Sequence, residues 1–240
     1  MALSSAAGDV YEYRKPLAAG AAGSCLPRVL KHVNEGGVTR STDLFVANAA
    51  AQMANANLVF YDSTGAPVAA AGQNVSLQPN GSRYFRLTEI TDLPNGIWSA
   101  CASGDRPLAL EELTRADIPL TSLASSGTRG AIKLGESDST AVTHLVRSNV
   151  SYTAFSIQNT GIAAADVDLR YYDISGTLVN TDTVNLPPMG WARFDQSSQP
   201  GLQDGFEGSQ VLSSSQPLVS LVDAYVPPNP NRAFLPLVLQ

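Results

Sequence analysis

Two histidines, His32 and His144, are the only imidazoles in 240 residues. A catalytic triad or a zinc site needs a histidine close to Ser, Cys, Asp or a second His. Each of these falls in the opening strand of a different half, with no spaced partner, so the pattern points away from imidazole chemistry. Glu111 and Glu112 are the carboxylate pair that could suggest acid–base work on a glycosidic bond. Neighbours on a strand point to opposite faces, so the pair reads as a solvated edge. Asp92, Asn95 and Asp204 sit in equivalent loops ahead of Gly96 and Gly205. Loop carboxylates hold Ca²⁺ when they are dense; no Asp-x-Asp run occurs, and plain turns are expected. No glycine-rich phosphate loop is present, since Gly20 to Gly23 belongs to a small-residue tail. The expectation is no enzyme, no cofactor and no metal.

Cys25 and Cys101 both fall in strands of the first half. In a sandwich such strands can face each other across the core within bridging distance, which makes a disulfide. The other reading is two buried thiols. Asn74-Val75-Ser76, Asn80-Gly81-Ser82 and Asn149-Val150-Ser151 fit the N-glycosylation triplet, which an Asn- and Ser-rich chain also produces by chance. Trp98 and Trp191 could stack on sugars. Trp98 reads as core, and Trp191, following Gly190, as more open.

Charged residues make up 15% of the chain and the net charge is −6. No Lys/Arg run exists, and the lysines are Lys15, Lys31 and Lys133. That excludes a phosphate-tracking groove and argues against anionic membranes as partners. No run of about 20 apolar residues is present to insert into a bilayer. The polar but weakly charged composition suits an extracellular or cell-surface β-protein. Met1 to Gly23 lacks the apolar centre of a signal peptide, so export by that route requires a leader removed from this numbering.

What positions these residues is a repeat. Phe60-Tyr61-Asp62-Ser63-Thr64-Gly65-Ala66-Pro67-Val68 matches Tyr171-Tyr172-Asp173-Ile174-Ser175-Gly176-Thr177-Leu178-Val179. Upstream, Val46, Asn48 and Leu58 align with Ile157, Asn159 and Leu169 without a gap. After a two-residue slip, Val75 to Gly81 matches Val184 to Gly190. Phe85 then pairs with Phe194, Leu93 with Leu202 and Gly96 with Gly205, and after one more slip Pro107-Leu108 pairs with Pro217-Leu218. The matched segments alternate apolar and polar residues, as in Asp166-Val167-Asp168-Leu169-Arg170-Tyr171. Asp-x-x-Gly reads as a hairpin and Pro-x-Gly as a strand end where Gly turns. Period 2 with turn signals about every ten residues describes a sandwich. Leu108 to Ala116 is the one helix candidate, but its counterpart in the second repeat reads as strand.

The last residues, Phe234-Leu235-Pro236-Leu237-Val238-Leu239-Gln240, repeat the opening motif Cys25-Leu26-Pro27-Arg28-Val29-Leu30. As a strand this segment is apolar on both faces: Leu235, Leu237 and Leu239 on one, Phe234 and Val238 on the other. Burial stabilises each such side chain by about 1.5–3 kcal/mol, so the strand needs a sheet. It folds back onto its own domain, adds to a neighbouring molecule, or is part of a longer array.

These motifs, with Ser156-Ile157-Gln158-Asn159-Thr160-Gly161 and the Phe-Leu-Pro-Leu-Val-Leu opener, resemble secreted bacterial tandem-repeat domains of the immunoglobulin-like, CARDB-like kind. The resemblance covers both repeats and implies stalks, adhesive modules or filament subunits, with no shared catalytic residues. The expected fold is all-β: two tandem immunoglobulin-like sandwiches with an extra C-terminal strand. Residues 1–24 form an N-terminal segment, 25–117 the first repeat, 118–140 a linker that adds a hairpin through Ala131 to Leu134, 141–228 the second repeat, and 229–240 the terminal strand segment. The expected function is a structural subunit of an extracellular filament or surface assembly. Its copies associate head-to-tail through Phe234, Leu235, Leu237, Val238 and Leu239. A carbohydrate-binding or adhesive module, with a glycan as partner, is the alternative.

Overall fold

The computed structural model describes residues 2–4, 10–12, 23–35, 38–116, 127–130, 141–146, 152–226, 229–233 and 238–239. These residues form antiparallel β-sheets, with short 3-10 turns at Ala69–Ala71 and Leu87–Glu89. The chain divides into two compact units, residues 1–62 with 67–133 and residues 134–240 with 63–66.

In the first unit β1 (Ala2–Ser4) and β2 (Val10–Glu12) pair only with each other among the described strands. Then follow β3 (Gly23–Lys31), β4 (Val33–Glu35), β5 (Val38–Asn48), β6 (Ala54–Tyr61), β7 (Gln73–Leu77), β8 (Ser82–Arg86), β9 (Gly96–Gly104), β10 (Leu108–Ala116) and β11 (Gly127–Gly130). One sheet has the order β3-β9-β6-β7; the other runs β11-β10-β5, with β4 and β8 on the far side of β5. The second unit holds β12 (Ala141–Val146), β13 (Tyr152–Asn159), β14 (Ala165–Asp173), β15 (Leu178–Leu186), β16 (Trp191–Asp195), β17 (Glu207–Ser214), β18 (Leu218–Val226), β19 (Asn229–Ala233) and β20 (Val238–Leu239). Its orders are β15-β14-β17-β12-β20 and β16-β13-β18-β19. The strand path is therefore the same twice. Each unit has its first strand beside the sixth and its seventh beside the second.

An immunoglobulin constant-type order sets the first strand beside the second and the seventh beside the sixth. Here those two strands have exchanged sheets. Alternation fixes which face of a strand is buried and says nothing of its neighbours, so the exchange leaves no mark in the pattern. Leu108–Ala116 is a strand, paired along β5. The strand added after it is Gly127–Gly130, against Glu111–Thr114; Ala131 to Leu134 lies outside the described residues.

The alternation is literal on β14, where Ala165, Val167, Leu169 and Tyr171 are buried and Asp166, Asp168 and Arg170 exposed. β6 behaves likewise, with Ala54, Ala56, Leu58 and Phe60 inside. Both sheets of the first unit feed one core: Leu26 and Val29, Leu44 and Val46, Leu58 and Phe60, Ala100 and Ala102, Leu108 and Leu110. β13 departs from the expected one-sided pattern, since Thr153 through Asn159 are buried on both faces. β16 and β18 pair with β13 along both of its edges.

The hairpin glycines adopt the required left-handed backbone, Gly65 at φ 83° and Gly176 at φ 82°. Asp173 Oδ1 accepts from the Ser175 and Thr177 amides at 2.8 and 2.9 Å. A bond from the Ser175 hydroxyl, together with those from the Thr177 and Ser175 amides, holds the Asp173 carboxyl below its ordinary range. In the Pro-x-Gly turns the positive φ falls one residue earlier than expected, at Asn80 (56°) and Met189 (61°). Gly81 N donates to Gln78 O at 2.8 Å and Gly190 N to Pro187 O at 2.9 Å, a type II turn with Pro79 or Pro188 second and Asn80 or Met189 third. Glycine is needed at the fourth place by close approach: a Cβ there would lie 3.0 Å from Gln78 O, or 2.8 Å from Pro187 Cδ.

The matched asparagines hold these pieces together. Asn48 Nδ2 donates to Gln52 O at 2.6 Å and Gln78 O at 3.0 Å, and its Oδ1 accepts from Ala50 N at 2.9 Å. Asn159 Nδ2 donates to Ala163 O at 2.7 Å, Leu186 O at 3.0 Å and Pro187 O at 3.2 Å, and its Oδ1 accepts from Gly161 N at 2.8 Å. Each residue is buried. Truncation to alanine strands these backbone groups without partners. Asn48→Ala or Asn159→Ala is expected to cost about 2–4 kcal/mol, read as a lowered urea midpoint. Asn159→Asp should cost at least as much, because a carboxylate offers the carbonyls no donor. A loss under about 0.5 kcal/mol for both alanine variants contradicts this account.

Candidate functional site

The terminal strand adds to the outer edge of β12, with Val142 opposite Val238 and Ala141 opposite Leu239. The partner sheet is the chain's own. Phe234, Leu235 and Leu237 lie outside the described residues. β12 pairs regularly over six residues with β17, so its other edge is straight. The equivalent edge strand of the first unit, β3, is broken by a register shift between Leu26 and Val29, where Pro27 removes a donor.

Cys25 and Cys101 are joined by a disulfide. They are direct partners on the adjacent strands β3 and β9, with Cα atoms 4.1 Å apart. The bridge thus staples two neighbours in one sheet rather than spanning the core, a consequence of the first strand lying beside the sixth.

The residues singled out for chemistry are not gathered. His32 is exposed at φ 48° between β3 and β4, its amide donating to Ser41 Oγ at 3.0 Å. His144 belongs to β12 in the other unit. Glu111 and Glu112 point to opposite faces but are not a solvated edge, because β10 is flanked by β5 and β11. Glu112 is 1% exposed, and burial raises the carboxyl of half-buried Glu111. Asp92, Asn95 and Asp204 are exposed loop residues. Among the described residues no three His, Cys, Asp or Glu side chains converge as a metal site. No helix is long and apolar enough to cross a membrane among the described residues. Trp98 packs against the core and its Nε1 donates to Pro94 O at 3.0 Å. Trp191 is half-buried on β16. Asn74 and Asn80 are exposed, and Asn149 lies outside the described residues.

Buried polar groups were not visible in the sequence. In the first unit Lys31 Nζ donates to Ile90 O and Leu93 O, both at 2.6 Å, and Arg28 pairs with Glu35. In the second, Tyr171, Gln196 and Gln210 are fully buried. The Gln196 and Gln210 amides lie close to the Tyr171 hydroxyl, and none of the three makes a hydrogen bond of regular geometry. The first unit places Phe60, Leu87 and Ala100 at the matching positions, all apolar and fully buried. Burial pushes the Tyr171 hydroxyl up to about 12, offset in part by the Gln196 amide and reinforced by Asp182.

No protein-family model matches this chain, and no curated protein does. Among solved structures it is similar to the crystal structure of Thermotoga maritima 1070, at 18% identity and a TM-score of 0.37, covering 47% of this chain and 94% of that one. A Bacteroides uniformis beta-glucuronidase 2, covalently bound to cyclophellitol-6-carboxylate aziridine, gives 13% identity and a TM-score of 0.17 over 88% of this chain and 25% of that one. A lectin from Pleurotus ostreatus in complex with GalNAc gives 9% identity and a TM-score of 0.17 over 92% and 85%. Likenesses this shallow carry no argument about order or activity.

Tyr171 supplies a pH signature. Its folded value lies above the ordinary value of 10.0, so folding favours the protonated form. The contribution is complete below pH 10 and is lost as pH rises through about 12, a change of about 2–3 kcal/mol. The difference in unfolding free energy between the native chain and Tyr171→Phe should fall by that amount between pH 9 and 12; a difference independent of pH excludes it.

Proposed function

We propose that the chain is a structural subunit of an extracellular or cell-surface assembly, in which each copy lends its C-terminal strand to the sheet of the next. Each unit is read as a two-layer sandwich whose strand order departs from the immunoglobulin one at its first and last strands. The observation that carries the reading is the antiparallel addition of Val238–Leu239 to the free edge of β12. Among the described residues two pairs hold it there. The same pairs form when the strand comes from another copy, so the closed and exchanged states differ little in contact energy. Concentration then decides between them. A donor and an acceptor on one molecule make a heterologous contact, and such a contact extends into a filament unless its rotation closes. The low charge density leaves little repulsion to oppose packing of copies.

Two measurements test this. Light scattering of the full chain should show mass rising with concentration, and deletion of residues 234–240 should leave a monomer throughout. The Val142→Cys, Val238→Cys double variant places thiols on partnered positions. Oxidised at high concentration, it should give covalent dimers and higher species on a non-reducing gel. Exclusively intramolecular bridging, with a full chain that is monomeric at every concentration, ends the proposal.

A further inference from the structure

The outer face of β6, β7 and β9 carries a shallow groove of about 490 Å³, lined by the amides and hydroxyls of Asn55, Asn57, Asn74, Ser76 and Ser103 with Ala56 and Val75 between them. Two rows of side chains cross it. In one, Ser76 Oγ donates to Asn55 Oδ1 at 2.8 Å. Asn55 in turn donates to Asp105, from its backbone N to Oδ1 at 2.8 Å and from Nδ2 to Oδ2 at 3.3 Å. This row is satisfied internally, and its one carboxylate is held by Asn55, which keeps Asp105 below its ordinary value. In the next row Asn74 is the direct partner of Asn57, and Asn57 of Ser103. Among the described residues these three side chains make no hydrogen bond.

Asparagine is disfavoured in strands, yet Asn55, Asn57 and Asn74 occupy one sheet face, where they gain nothing from core packing. Local rules are broken in this way where a surface has a task. The second unit shows that the scaffold does not require it: the matching row is Thr183, Asp168 and Ser213, and Arg170 stands 3.9 Å from Asp168. One face is charged, the other neutral and amide-lined on the same strand path. A row of alternating acceptors and donors without net charge complements adjacent hydroxyl groups. It offers no counter-charge to an anion, and its only carboxylate is already bonded. No aromatic ring lines the groove, so recognition rests on hydrogen bonds and is weak per sugar.

We propose that this face binds a neutral, polyhydroxylated chain, namely an uncharged oligosaccharide. The proposal is independent of strand exchange. It is tested by titrating isotope-labelled full chain with neutral hexasaccharides (of glucose, xylose and mannose) to about 10 mM, about tenfold above a millimolar Kd. Polygalacturonate is the anionic control. At least one neutral sugar should shift the side-chain amides of Asn57 and Asn74 and the backbone of β6, β7 and β9. Asn57→Asp with Asn74→Thr, the residues the second unit uses there, should weaken that binding at least about tenfold with an unchanged unfolding midpoint. No shift with any neutral sugar overturns the proposal. So does equal or better binding of polygalacturonate, or an affinity the double variant leaves intact.

Discussion

Each unit hangs on one buried side-chain amide at the end of its second strand. There the chain leaves one sheet and starts the other, and backbone groups that would pair with water at a surface are shut inside. An unpartnered carbonyl or amide in that setting costs about 1–3 kcal/mol. Asparagine is the short side chain that offers two donors and an acceptor at once. Asn48 and Asn159 use both ends, binding the crossing loop and the end of the fourth strand. Beside them, Ala49 N and Thr160 N each donate at 2.9 Å to the proline that precedes the seventh strand, Pro107 or Pro217. Three segments distant in sequence thus meet around one amide. Loops elsewhere can vary while the strand path stays the same.

Around that fixed frame the two interiors differ. The first unit keeps an apolar centre of Phe60, Leu87 and Ala100 and places its buried charges toward the sheet end, Arg28 against Glu35 and Lys31 against loop carbonyls. The second replaces the apolar trio with Tyr171, Gln196 and Gln210 and stacks Phe155 on Phe194 at 4.7 Å. The exchange is not volume-neutral, since Ala→Gln adds atoms that the other two replacements do not give back, so the second interior must pack differently around it. Leu→Gln, Phe→Tyr and Ala→Gln together add polar atoms at one spot, so the change is concerted rather than scattered. The first unit also carries the Cys25–Cys101 staple on the outer side of its sheet, a device with no cysteines to copy it in the second.

What was legible in the sequence is what chain-local physics dictates. The repeat register appears in the structure down to the slips, since Asn48 and Asn159 match at one offset and the type II turns at another. Asp-x-x-Gly located the hairpins because only glycine takes that backbone cheaply. Alternation located the inward faces of β6 and β14. Neighbours in a sheet are a different kind of information. Nothing in Leu108–Ala116 says that β5, and not β9, lies beside it, and so the burial of Glu112 and the side-by-side cysteines escaped notice. The Tyr171 cluster is hidden for a related reason: alternation turns Tyr171 inward, but the two glutamines, Gln210 on β17 and Gln196 in the turn after β16, declare themselves only when two strands and a loop converge. The amide face was visible as Asn-Ala-Asn in β6, but its partner Asn74 needed the β6–β7 register.

The strand path also decides which edges are exposed to company. With the order 1-6-3-4, the first strand of each unit is an edge and presents unpaired backbone groups, which invite another strand. The first unit blunts that edge by a bulge and a proline at Pro27. The second leaves β12 regular and covers it with β20. A regular edge and a short terminal strand that fits it are the ingredients of the strand exchange proposed above. They occur together only in the second unit, and the terminal strand repeats the sequence of a first strand. A sequence suited to lie as a first strand in one repeat is suited to lie at a sheet edge in the next, and the proposed exchange rests on that likeness.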